Sequence, residues 1–253
     1  MGQDVKAVLL VGGLGSRLRS VVAGAPKVLA PVGKTSFLAL LVRQLRAQGI
    51  RRLVMCTGYL ADQIHREFGN GEDWEVAIEY SREEQPLGTA GAIKLAERYL
   101  RDATEFVVMN GDSFLETDFV QLMDFHRAHH AIATMAVVRV EDTGRYGTVS
   151  VDTSGRVQAF VEKTGNSVPG RVNGGVYVFD RAIFECIPRH PASLERDVFP
   201  SLLDHGVYAL EQHGMFIDIG TPADYARAQQ LCDSLKAAAK GRLSGSIVQD
   251  HQC

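Results

Sequence analysis

Two glycines, Gly12 and Gly13, close an apolar run; Gly15, Ser16 and Arg17 follow, and ten residues after Arg17 comes Lys27. Glycines let a backbone approach an anion closely and turn successive N–H groups toward it. An arginine in such a loop can grip two phosphate oxygens at once, and a lysine a short loop away can neutralise a second phosphate group. Two familiar phosphate loops do not fit. A dinucleotide fingerprint needs its third glycine where Leu18 stands, and a Walker loop ending at Gly33-Lys34-Thr35 needs a glycine where Val28 stands. The residues point to phosphate chemistry of another kind.

The elements around this loop alternate. Residues 6–11 (KAVLLV), 51–57 (RRLVMCT) and 105–110 (EFVVMN) are short continuous apolar runs, the pattern of strands buried on both faces. Residues 75–80 alternate, with Val76, Ile78 and Tyr80 on one face. Between them, Phe37, Leu38, Leu41, Val42 and Leu45 follow helical spacing up to Gly49, and 61–68 and 89–100 read as further helices. That βαβα rhythm predicts a parallel sheet covered by helices on both faces. The second half is richer in strands, at 133–140, 148–152, 156–163, 172–179 and 215–219, with a turn at 152–155. Thr221, Pro222 and Asp224 form a helix start whose helix is expected to run to about Lys240, with Gly241 as its stop. Residues 1–241 read as one α/β domain, divided near residue 115 into halves 1–115 and 116–241, with 242–253 as a flexible polar tail.

The 253 residues are enough to bury a substantial core. A net charge of −3 argues against a nucleic-acid partner, and the absence of an 18-residue apolar run argues against a membrane span. Neither a signal-peptide pattern nor a myristoylation pattern is found at the N-terminus. Cys56, Cys186, Cys232 and Cys253 lack metal spacing and read as reduced thiols of a cytoplasmic protein. His126, His129 and His130 have a spacing that could hold zinc, yet no fourth ligand suggests itself, so a polar helix face is the expectation. Ser193, Glu195 and Asp197 read as a capped helix start with acidic first-turn residues.

Six ordered motifs extend the reading: GGLGSRL with Pro26-Lys27, PLGTAGA (86–92), NGD (110–112), Glu162-Lys163, NGGVYVF (173–179) and DIGTP (218–222). In this order, over residues 6 to about 230, they resemble the sugar-1-phosphate nucleotidyltransferases. The stretches 82–93, 144–149 and 216–222 are most similar to the D-glycero-α-D-manno-heptose 1-phosphate guanylyltransferases among them. The resemblance implies an enzyme that transfers a nucleotidyl group from an NTP, with GTP favoured, to a sugar 1-phosphate and releases pyrophosphate. It implies a Rossmann-like mixed, mainly parallel sheet flanked by helices, with a smaller antiparallel β lobe for the sugar. The hexapeptide repeats of the bifunctional relatives are missing, so no β-helix domain is expected. Members commonly self-associate, which leaves a homo-oligomer open. Mannose-1-phosphate guanylyltransferase is the alternative within the class, followed by a thymidylyl- or uridylyltransferase. A non-catalytic sugar-nucleotide binder is the alternative outside it; such proteins tend to lose loop basics or metal aspartates that are all kept here.

By the same resemblance, Gly12, Gly13, Gly15, Ser16 and Arg17 hold the triphosphate, with Arg17 on the departing pyrophosphate, Lys27 on the α-phosphate and Lys163 on the sugar phosphate. Asp112 and Asp218 stand at strand ends, where open α/β sheets bind ligands, and a converging pair of carboxylates suits Mg²⁺. Leu87, Gly88 and Thr89 are expected to line the base pocket, with Gln85 as base reader. Asn110, Gly147, Glu162 and Asn173 are expected on the sugar. Three positions depart from common family residues: Ser16 for Thr, Gly174 for Ala, and Gln85 for the Glu frequent in the heptose subfamily.

Overall fold

The computed structural model describes residues 5–13, 15, 18, 21–22, 24–161, 168–189 and 191–240. Strands β1 (Lys6–Leu10), β4 (Arg52–Thr57), β5 (Ala77–Arg82) and β6 (Glu105–Asn110) form the parallel part of a nine-stranded sheet, in the order β5-β4-β1-β6. A small hairpin, β2 (Pro31–Val32) with β3 (Thr35–Ser36), leads into helix α1 (Phe37–Ala47), and α2 (Ala61–Phe68) and α3 (Gly88–Ala96) make the other crossovers. Side chains alternate across the parallel strands. Ala7, Leu9, Leu53, Met55, Val107 and Met109 join the core under α1 and α2, while Val8, Val54, Phe106 and Val108 join the core under α3. Both faces are covered, which is why these strands read as unbroken apolar runs.

Past β6 come β7 (Ser113–Leu115), α4 (Phe119–Ala128), β8 (Ala133–Val140), β9 (Thr148–Val151), β10 (Val157–Val161) and β11 (Gly170–Asp180). Strand β11 runs antiparallel to β6, β8 and β9, and its pairing with β8 slips between Asn173 and Val176. The antiparallel strands therefore extend the parallel sheet, so the sheet continues across residue 115. After the short helices α5 (Ile183–Cys186) and α6 (Phe199–Leu202), β12 (Val207–Glu211) pairs parallel with β8. Strand β13 (Phe216–Asp218) pairs antiparallel with β7 in a separate two-stranded sheet, and α7 (Pro222–Gln230) and α8 (Cys232–Ala238) close the described chain.

Several boundaries differ from the sequence reading for visible reasons. Glu75 takes a left-handed φ of 56° after a 3-10 turn, so the strand expected at 75–80 begins at Ala77. The C-terminal helix breaks at Leu231, and α8 turns Leu235 and Ala238 into the core with α1. Strand β12 has no counterpart in the sequence reading; its half-buried positions include Tyr208 and Leu210, so apolar residues fill both faces and the sequence does not alternate. Gly241 and Cys253 lie outside the described residues.

Candidate active site

In the parallel sheet the chain moves outward from β1 to β4 and β5, then returns to place β6 on the other side of β1. Ligands of open α/β sheets bind beyond the carboxyl ends of the strands at such a reversal. A cavity of about 490 Å³ opens there, lined by Leu10 at the end of β1 and Gly12 beyond it, Cys56 near the end of β4, Glu83 after β5, and Asn110 at the end of β6 with Asp112 beyond it. Gly13, Gly15, Lys27, Gly88, Thr89 and Gly220 also line it. The glycine loop thus sits where its amides can face an anion. Arg17 and Ser16 lie outside the described residues.

Gly15 has φ +57°, and a Cβ there would stand 2.8 Å from the Cβ of Lys27. The loop therefore closes onto Lys27 at a position only glycine fills without strain. Lys27 opens a single 3-10 turn behind Pro26, and its side chain, 13% exposed, reaches Asp112 Oδ2 at 2.7 Å. Asp112 in turn accepts the Ile219 N–H through its backbone carbonyl at 2.9 Å. Asp218 pairs in register with Ser113, the residue after Asp112, so β7 and β13 bring the two aspartates together. Asp218 Oδ1 accepts the Gly220 N–H at 2.5 Å. Burial raises the Asp218 carboxyl above its ordinary range and the Asp112 charge adds to this, against the pull of Lys27 and the Gly220 amide.

No group of three or more His, Cys, Asp or Glu side chains among the described residues is placed to hold a metal ion. The fold offers the carboxylate pair instead. Mg²⁺ is usually held by one or two carboxylates with substrate phosphates and waters, so this donor set fits it. A divalent cation would also relieve the repulsion that raises Asp218.

A second cavity, of about 350 Å³, opens beside this pair and is lined by Arg145, Tyr146, Asp218, Thr221 and Asp224. It shares Lys27, Asp112 and Gly220 with the first. Two anions, one in each cavity, would meet at Lys27 and the Asp112 carboxylate, with Asp218 in the second cavity.

The remaining expected residues divide. Gly88, with φ +73°, brings the start of α3 against the Ala192 carbonyl, where a Cβ would come within 2.4 Å of that oxygen. Thr89 accepts the Leu194 N–H at 2.8 Å and donates to Glu195 at 3.3 Å. Leu87 accepts the Ala192 N–H and gives its own N–H to Glu83, without lining the cavity. Gln85 is exposed and also absent from the lining. Glu83 is there in its place, its Oε2 bound to the Leu87 N–H at 3.0 Å and its Oε1 beside Gly12 and Gly58. Burial raises the Glu83 carboxyl against the opposing Leu87 hydrogen bond. Sequence reasoning passed over Glu83, although its position at the carboxyl end of a parallel strand is a signal in itself.

Asn110 lines the first cavity with its Oδ1 buried and unpartnered, an acceptor ready for a ligand hydroxyl. Asn173 donates to the Tyr177 hydroxyl at 2.8 Å and accepts the Gly175 N–H at 2.9 Å, and it lines neither cavity. Gly147 is half buried, next to Tyr146 of the second cavity. Glu162 and Lys163 lie outside the described residues. The three histidines diverge. His126 turns inward onto Thr134 at 2.9 Å, while the His129 ring bonds the Phe125 carbonyl.

A mixed α/β sheet with a glycine loop, a lysine and paired carboxylates at its switch point defines an enzyme that handles phosphates. Comparison with known proteins narrows this. The nucleotidyl transferase family profile matches residues 6–234, and the chain belongs to that family. It is 40% identical over 228 residues to the mannose-1-phosphate guanylyltransferase of Mycobacterium tuberculosis, covering 88% of this chain and 63% of that protein. It is also 40% identical to the D-glycero-alpha-D-manno-heptose 1-phosphate guanylyltransferase of Aneurinibacillus thermoaerophilus, covering 89% and 97% of the two chains. The chain thus spans a little under two thirds of the length of the mannose-specific relative. Its fold matches the crystal structure of HddC from Yersinia pseudotuberculosis complexed with GMP-PN with a TM-score of 0.80 and 33% identity, over 89% of this chain and 98% of that one.

Proposed function

We propose that the protein transfers GMP from GTP to a sugar 1-phosphate, releasing pyrophosphate and forming a GDP-sugar for surface polysaccharide synthesis. The observation that carries this reading is the meeting of two cavities at Lys27, Asp112 and Gly220. Nucleotidyl transfer needs that layout, because both substrates are anions and their phosphates must come together. Heptose and mannose enzymes stand among the relatives at equal identity, and the sequence motifs favour D-glycero-α-D-manno-heptose 1-phosphate.

In this reading the triphosphate lies along the amides of Gly12, Gly13 and Gly15, with Arg17 on the pyrophosphate portion. A phosphate oxygen of the acceptor attacks the α-phosphorus as the bond to the bridging oxygen breaks, and pyrophosphate carries that electron pair away. Lys27 leaves Asp112 for the α-phosphate, and Lys163 holds the acceptor phosphate. Asp112 and Asp218 are the residues that would hold Mg²⁺, whose charge neutralises the phosphate oxygens when bound. Asn110 offers its free carbonyl to a hydroxyl of the ligand in the first cavity, with Gly147 and Glu162 on the acceptor side. The base lies against Gly88 and Thr89. Glu83 takes over the base-reading role first expected of Gln85, since a carboxylate accepts from the N1–H and exocyclic amine of guanine.

Among the described residues, Cys56, Cys186 and Cys232 are free thiols. Free thiols persist in a reducing compartment, and on them we place the reaction in the cytoplasm. No helix among the described residues is long and apolar enough to cross a membrane. The test of the function is substitution at the carboxylates. Asp112→Ala and Asp218→Ala are each expected to abolish pyrophosphate release while leaving the circular dichroism spectrum unchanged. Near wild-type turnover in either variant overturns the metal-holding role.

A further inference from the structure

The loop that carries Asp218 is bracketed by two residues, Phe216 before it and Asp224 after it. Phe216 begins β13, and Asp224 lies in the first turn of α7, whose N-cap Thr221 closes the loop. The connection between β8 and β9 touches both brackets with consecutive residues. Arg145 Nη1 donates to Asp224 Oδ2 at 2.7 Å and Nη2 donates to Oδ1 at 2.8 Å, a fork spanning 79 residues of sequence. The Tyr146 ring meets the Phe216 ring edge-on, 5.8 Å between centroids at 62°. Between these two attachments lie Asp218, Gly220 and Thr221, all of them in the wall of the second cavity.

Each side of the attachment is itself hydrogen-bonded. Asp224 is 10% exposed and also accepts the Thr221 hydroxyl at 2.6 Å, so its carboxylate is held both by its own helix cap and by Arg145. On the other side, the Tyr146 N–H bonds the Thr143 carbonyl at 2.8 Å, and Thr143 is fixed by its N–H and hydroxyl to the Val168 carbonyl. A bidentate arginine–carboxylate pair fixes orientation as well as distance, which a lysine cannot reproduce.

We infer that the Arg145–Asp224 pair is a strap that holds the β8–β9 connection across the Asp218 loop, making Arg145 a positioning residue for the acceptor. This rests on the proposed function insofar as it assigns the second cavity to the sugar 1-phosphate. The strap sets the distance between the acceptor side of that cavity and the carboxylates at its floor. None of Arg145, Tyr146 and Asp224 lines the first cavity, which meets the strapped loop only at Gly220. An ordinary stabilising ion pair would move thermal stability alone.

The experiment compares Arg145→Lys and Asp224→Asn with the wild type in two assays. In steady-state kinetics, both variants are expected to lose about 10- to 100-fold in kcat/KM for the acceptor, the scale of a misplaced reactant. GTP affinity, measured by calorimetry without acceptor, is expected to stay within about twofold of wild type, and the double variant is expected to be no worse than the poorer single one. In amide hydrogen exchange, Tyr146 and Gly220 are expected to exchange faster together in each variant. Acceptor kcat/KM within about twofold of wild type, or faster exchange at one amide without the other, overturns the strap. Should Asp224→Asn fail to fold, Arg145→Lys decides alone, because it removes the fork and keeps the charge. A wild type that releases no pyrophosphate with any sugar 1-phosphate overturns the functional reading instead, and the exchange measurement still judges the strap.

Discussion

Gly15→Ala tests whether the glycine loop aims Lys27. Gly15 has φ +57°, where an L residue costs about 1–2 kcal/mol. The added methyl would also stand 2.8 Å from the Lys27 Cβ, so the lysine must move. Gly24 supplies the control within the same stretch. It has φ +73°, but a methyl there would meet nothing within 4 Å, so Gly24→Ala carries the backbone cost without the collision. For a chain of this size each kcal/mol lowers the melting temperature by about 2–4 °C, so both variants are expected to lose roughly 2–8 °C in a calorimetric scan. Activity should separate them. Displacing a catalytic group by about 1 Å can cost about 100-fold, so kcat/KM of Gly15→Ala is expected to fall about 10- to 100-fold. Gly24→Ala should stay within about threefold of wild type. Equal activity losses in the two variants, or none in Gly15→Ala, would refute the idea that this glycine positions Lys27.

Two further perturbations probe other parts of the account. Glu83→Gln keeps an acceptor for the Leu87 N–H but removes the carboxylate proposed to read the base, so kcat/KM with GTP is expected to fall by about 10- to 100-fold relative to ATP. An NTP profile matching the wild type takes Glu83 out of base reading. His126 is buried against Thr134, and burial lowers its pKa, with the Glu105 and Asp180 charges opposing. Because the unfolded chain binds a proton there below about pH 6.5 and the fold resists it, stability should fall as pH drops through that value. His126→Gln is expected to flatten the melting-temperature profile between about pH 7 and 5; an unchanged slope would remove this residue as the cause.

The sequence was most informative where burial is two-sided. Strands β1, β4 and β6 announce themselves because both faces of each are covered, so nearly every position is apolar. The glycine loop, Lys27, Asp112 and Asp218 were legible because their spacing along the chain is short or falls in motifs. Strand β12 stayed hidden because apolar Tyr208 and Leu210 occupy its half-buried face, so the sequence shows no apolar–polar alternation. Glu83, which lines the first cavity where Gln85 does not, escaped the sequence reading because only two residues separate the end of β5 from the turn before Pro86. The Arg145–Asp224 pair joins residues 79 apart, and nothing local to either one signals the other.

In the proposed reaction two anions meet at Lys27 and Asp112, which line both cavities, with Asp218 in the wall of the second. The most direct test is a matrix of four NTPs against heptose, mannose and glucose 1-phosphates in Mg²⁺, read by pyrophosphate release. The account predicts release with GTP and D-glycero-α-D-manno-heptose 1-phosphate above every other pair, with mannose 1-phosphate next. Binding of GTP without pyrophosphate release from any pair would contradict it and leave a sugar-nucleotide binder in its place.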